Sequence, residues 1–134
     1  MISKHITLEE AINSPTALRL KIDNNPSDIV LELMKLVAEK CFEPLREWYG
    51  KPIKVNSFYR SLNLNKAVGG SATSQHTKGE AIDLTGGSKE ENKKIFDWCK
   101  ANLVFDQLIN EYDYTWIHIS YSKTKNRNQI LIIK

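Results

Sequence analysis

In the first third of the chain, apolar residues recur at helical spacing. From Ser27, just after Pro26, they fall at Ile29, Val30, Leu33, Leu36, Val37, Cys41, Leu45 and Trp48, which predicts a long amphipathic helix as the main packing element. Pro44 is expected to kink or restart it, and Gly50 with Pro52 to end it. Ahead of it, Thr7 and Glu10 have the spacing of a capping box, so a short helix is expected over LEEAINS. Ser14 before Pro15 then opens another turn.

Past Gly50 the period changes from helical to alternating. KPIKVNSFYR predicts a strand across residues 53–59 that delivers Arg60 at its end. SLNLNKAVGG reads as a short helix or turn stopped by Gly69 and Gly70. SATSQHTKGE is polar and turn-forming, and EAIDLTGG reads as a strand with Asp83 inside it. Gly69, Gly70 and Gly79 are expected to serve positive φ or close approach. Ser88 and Glu91 suggest a second capping box, opening a helix to about Asn102 with Ile95, Trp98 and Cys99 as its buried stripe. VFDQLINE, TWIHISY and QILIIK follow as three β-like segments. Helices first, then strands mixed with one helix, predict an α+β fold with a mainly antiparallel sheet flanked by helices.

With 134 residues there is room for one domain, taken as 1–134. An apolar content of 41% with 26% charged residues is that of an ordinary globular chain and speaks against disorder. The net charge of +3 is scattered. The densest basic stretch, Lys123 to Arg127, has no aromatic residues for base stacking, so no nucleic-acid partner is expected. A weakly basic surface suits an anionic polymer through diffuse attraction. Neither an apolar leader nor a membrane-length apolar run is present, so synthesis in the cytoplasm without a Sec-type signal and no membrane insertion are expected. Cys41 and Cys99 belong to no CxxC pair and read as buried thiols.

Chemistry concentrates in the second half. His76 sits in SQHTKGEAIDL, where its neighbours offer nothing apolar to pack against. Asp83, between Ile82 and Leu84, needs a strong partner if buried, and a metal or a cation is the natural one. In TWIHISY, period two puts Trp116, His118 and Ser120 on one face, with Ile117, Ile119 and Tyr121 on the core face. Two histidines and an aspartate from separate segments form a three-ligand set of the kind used by catalytic zinc, with a fourth position for water. The ordinary alternatives are a solvated loop histidine at 76 and a structural histidine at 118. His5 has only an ordinary reading.

The run SFYRSLNLNKAVGGSATSQHTKGEAIDL, followed by FDQLINEY and WIHIS, resembles the zinc D-alanyl-D-alanine carboxypeptidases and L-alanyl-D-glutamate endolysins of phage. The opening TLEEAINSPTALRLKIDNNP and FEPLREWYGKPI resemble the short single-domain members of that group, so the likeness covers nearly the whole chain. The resemblance implies zinc held by His76, Asp83 and His118, and hydrolysis of peptidoglycan peptides. It gives Arg60 a place in the active site, binding substrate and polarising the scissile carbonyl, which suits a guanidinium.

Ser74 and Gln75 precede the first ligand and read either as hydrogen-bond donors and acceptors that orient it or as ordinary loop residues. Trp116 reads as a wall of the substrate groove or as packing. Several relatives place an acid three positions before the last histidine, where this chain has Thr115, but the shorter single-domain members have a comparable glutamate after the FDQLI strand, so the resemblance makes Glu111 the first candidate for the base and leaves Asp113 the second. If FDQLINE is a strand, Phe105, Gln107, Ile109 and Glu111 share a face, and YDYT makes a hairpin turn that brings Glu111 near His118. A monomer is expected, released to the cell wall if the lysis is phage-like. The competing reading is a non-catalytic, zinc-stabilised module that binds cell wall or protein.

Overall fold

Four helices come first and five strands follow with two more helices among them, close to the order these patterns suggest, in a computed structural model that describes residues 1–134. Helix α1 (Leu8–Ile12) opens with the full capping box: Thr7 accepts from the Glu10 N–H while the Glu10 carboxylate reaches back to the Thr7 backbone. Helix α2 (Pro15–Leu20) has Ser14 as its cap and Pro15 in its first turn.

The long helix forms in two pieces, α3 (Asp28–Val37) and α4 (Glu43–Tyr49), joined without a break by a π-helical turn over Ala38–Phe42. Pro44 has no N–H to give the preceding turn, and the wider turn just ahead of it absorbs that defect. The added residue also rotates the buried stripe. Met34, Val37, Ala38, Cys41, Phe42 and Leu45 are fully buried, whereas Ile29 and Trp48, placed on the stripe by simple periodicity, are exposed at 77% and 46%. Trp48 instead stacks on Trp98, ring centroids 5.1 Å apart. Gly50 ends α4 in the left-handed conformation.

Strand β1 (Lys54–Ser57) is shorter than its alternating pattern, because a bulge between Val55 and Ser57 ends regular pairing and lets Phe58 turn into the core. Helix α5 (Leu62–Ala67) follows under its Ser61 cap, then β2 (Ala81–Thr85). Helix α6 (Lys89–Asn102) is capped by the Ser88 hydroxyl alone. The expected reciprocal half of that box is not formed, since the Glu91 carboxylate is drawn to Tyr49, Lys51 and Lys94. Its buried side is Asn92, Ile95, Phe96 and Cys99, with Trp98 only partly covered.

Strands β3 (Gln107–Glu111), β4 (Trp116–Ser120) and β5 (Gln129–Ile133) complete a sheet in the order β1-β2-β4-β3-β5. Every pair is antiparallel except β3 with β5. Residues 112–115 connect β3 to β4 through three successive left-handed residues, Tyr112, Asp113 and Tyr114, at φ 53°, 54° and 62°. Hydrogen bonds from the Asn92 amide to the Tyr114 and Thr115 carbonyls, and from the Tyr114 N–H to Asn110, hold that turn.

One face of the sheet carries Ile82, Leu84, Leu108, Ile117 and Ile119 into a common core with Phe42, Leu45, Ile95 and Cys99. Burying each such large side chain contributes about 1.5–3 kcal/mol. The opposite face is polar and carries the chemistry. No helix is long and apolar enough to cross a membrane.

Candidate metal centre and catalytic cleft

Strand register sets the centre of the site. Asp83 on β2 pairs directly with His118 on β4, so period two points both side chains to the face opposite the core. His76 arrives from a 3₁₀ turn, Gln75–Lys78, where a plain loop was expected. Ser74 caps that turn by accepting from the His76 N–H, and Gly79 ends it at φ +71°.

The three side chains converge. His76 Nε2 lies 3.1 Å from Asp83 Oδ2, and His118 Nδ1 lies 3.0 Å from Asp83 Oδ1. One ligand atom from each residue falls within 4.8 Å of the others. Ligands on a tetrahedral ion with bonds of ~2.0–2.1 Å stand about 3.3–3.4 Å apart, close to these separations. The outward ring nitrogens also have partners: His76 Nδ1 meets the Phe58 carbonyl at 2.8 Å and His118 Nε2 meets Gln75 Oε1 at 3.4 Å. Both acceptors call for an N–H, which leaves the lone pairs of His76 Nε2 and His118 Nδ1 turned toward Asp83. Two imidazole lone pairs beside an ionised, mostly buried carboxylate are a donor set that fits zinc.

Around this centre runs a cleft of about 570 Å³, lined by Arg60, Ser74, Gln75, His76, Asp83, Glu111, Trp116 and His118 among others. Arg60 lies not at the strand end but three residues past β1, on an extended segment that Asn24 staples in place. The Asn24 amide donates to the Ile12 and Tyr59 carbonyls and its oxygen accepts from the Ser61 N–H. The Arg60 backbone donates to the His76 carbonyl at 3.1 Å. Its guanidinium makes one long hydrogen bond, 3.4 Å to Ser74, and its Nε is buried without a partner. Unlike the buried Nε, the η donors are free to meet an anion or a carbonyl oxygen.

Glu111 ends β3, opposite Trp116. Ile109 is the partner of His118, so Glu111 stands two residues, or about 7 Å, farther along the same face. The Trp116 indole N–H donates to Glu111 Oε2 at 2.8 Å. Burial first, and the Asp83 charge second, hold the Glu111 carboxyl above its ordinary value, against the pull of the Trp116 N–H and the two histidines.

Two expectations fail on geometry. Asp113 lies outside the cleft: it sits in the left-handed turn with its side chain 72% exposed and paired to Lys89 at 2.6 Å. Phe105 does not share the Glu111 face either, because β3 begins only at Gln107 and Phe105 belongs to the core. Sequence reasoning also passed over Asp106, a buried acid that holds the Gln75 amide at 2.7 Å. Its place beside Phe105 in an apolar segment could have been read as Asp83 was. The Phe58 carbonyl behind His76 is main chain and has no sequence signature.

A comparison with curated proteins finds no match, whereas the family model described as peptidase M15 matches residues 4–120, a span that contains the triad, Arg60 and Glu111. The chain belongs to the peptidase M15 family of zinc peptidases.

Proposed function

We propose that this protein hydrolyses peptide bonds in bacterial peptidoglycan with zinc held by His76, Asp83 and His118. The observation that carries the reading is that the triad, a carboxylate held above its ordinary pKa and an under-used guanidinium face one cleft. Zinc bound there would supply Lewis acidity toward a peptide carbonyl and an attacking water.

Glu111 takes the proton from the attacking water and passes it to the departing amine, and the burial of its carboxylate strengthens it as a base. The Trp116 N–H fixes the carboxylate through Oε2 and leaves Oε1 without a partner. Arg60 anchors a substrate carboxylate or the developing oxyanion through its η donors. Trp116, with the Tyr112 ring 5.2 Å from it, walls the cleft beside the base and limits water there.

D-Ala-D-Ala and L-Ala-D-Glu bonds share a relevant feature. In each, the residue on the departing side carries a free carboxylate next to the scissile nitrogen, so an arginine at position 60 suits a carboxypeptidase and an endolysin alike. Metal content and digestion of purified peptidoglycan, measured on one preparation, test the proposal. Zinc near one equivalent with new peptide ends is the expected result. Zinc without turnover would identify a non-catalytic binding module, and no bound zinc would end the reading altogether.

A further inference from the structure

Asp106 precedes β3 and is buried, its side chain 7% exposed. Its carboxylate accepts four hydrogen bonds. Oδ1 takes the Arg127 backbone N–H at 3.2 Å and Nε at 2.8 Å, while Oδ2 takes Arg127 Nη2 at 2.8 Å and Gln75 Nε2 at 2.7 Å. Arg127 beside it holds the carboxyl down to about 2, so Asp106 acts purely as an acceptor at working pH.

An acceptor-only partner settles which way an amide points. Gln75 must turn its NH₂ toward Asp106, and its oxygen then faces His118 Nε2 at 3.4 Å. The two histidines of the triad are therefore held differently. His76 is oriented by a main-chain carbonyl, which cannot turn round without refolding the chain. His118 is oriented by a side-chain amide, which could flip and present a donor to a donor. Only the Asp106–Arg127 pair stands against that flip. Arg127 sits in the segment joining β4 to β5, outside the residues matched by the family model.

We infer that Asp106 and Arg127 are positioning residues for the metal centre: acting through Gln75, they keep the His118 ring turned with Nδ1 toward Asp83. This rests on the zinc reading of the triad. Outer partners of metal-bound histidines change metal affinity by roughly 10–100-fold when removed, and the same range is expected here for a residue that acts at one remove.

A double-mutant cycle on zinc affinity, measured by competition with a chelator, tests the relay. Asp106→Asn and Gln75→Leu should each weaken zinc by roughly 10-fold or more. If Asp106 works through Gln75, Asp106→Asn should weaken zinc no further in the Gln75→Leu background, whereas a general structural role would add its own loss. Arg127→Ala should follow Asp106→Asn, and Arg127→Lys should recover part of the loss, because one ammonium replaces a two-pronged contact. Arg127→Ala also carries the cycle should Asp106→Asn fail to fold. Wild-type affinity in both Asp106→Asn and Arg127→Ala, or losses that multiply in the double variant, would overturn the relay while leaving the zinc site intact. A wild-type protein that binds no zinc would overturn the zinc reading and the relay with it.

Discussion

Replacing Glu111 by glutamine probes the chemistry while disturbing the structure little. Glutamine has nearly the same shape, and its carbonyl oxygen can still accept from the Trp116 indole now bonded at 2.8 Å. The residue ends a strand and belongs to neither the triad nor the core, so the change should cost less than about 1 kcal/mol of stability. Zinc should remain bound. A positioned general base contributes roughly 10²–10⁴-fold, or about 2.7–5.5 kcal/mol of barrier, and the variant should lose an amount in that range. The assay is the release of new peptide ends from purified peptidoglycan, with zinc quantified on the same samples.

The pH profile adds a sign. Protonation silences a carboxylate base, so turnover should fall as pH drops through the Glu111 pKa. Burial raises the Glu111 pKa and so moves that fall to higher pH, whereas zinc held by Asp83 cancels the carboxylate's own contribution. Trp116→Phe removes the N–H that favours the charged form, so it should move the acid limb to higher pH still. A zinc-loaded Glu111→Gln protein within threefold of wild-type rate would refute the assignment.

Two further outcomes follow from the geometry. Arg60→Ala should keep zinc and fold but lose about 1.5–3 kcal/mol of transition-state binding, roughly 10–150-fold in kcat/KM, with Arg60→Lys recovering only part; wild-type kinetics in Arg60→Ala would remove it from the site. Gly79→Ala should lower stability by about 2–4 kcal/mol, read as the denaturant midpoint. A Cβ at φ +71° would sit 2.7 Å from Met34 and 2.8 Å from Val30, and an unchanged midpoint would contradict that crowding.

Much of the sheet was legible because its alternation is strong. Ile82, Leu84, Ile117 and Ile119 fall on the core face and Asp83 with His118 on the other, as period two requires. Helix starts were legible where a hydroxyl caps them, at Thr7, Ser14, Ser27 and Ser88. What local pattern could not supply was long-range competition. The π-helical turn before Pro44 rotates the stripe and leaves Trp48 outside the core, while Ile29 is already off the face that Val30, Met34 and Val37 form within α3. Glu91 abandons its capping role for partners 42 and 40 residues away at Tyr49 and Lys51. The triad was readable by residue type and by resemblance, but the hold on each ring was not, since it runs through a main-chain oxygen at Phe58 and through Gln75.

The connection between β3 and β4 counts residues for the whole site. Glu111 enters it and Trp116 leaves it as a directly opposed pair, with His118 two positions on. Three consecutive left-handed residues, each a conformation that L side chains resist, are kept there by the amides of Asn92 and Asn110. Most surface loops tolerate an added or lost residue, because a change of length is absorbed in slack. Here there is no slack. A shift of one residue between β3 and β4 would carry Ile117 onto the polar face and His118 into the core, so this turn is a measure of chain length on which the metal ligand depends.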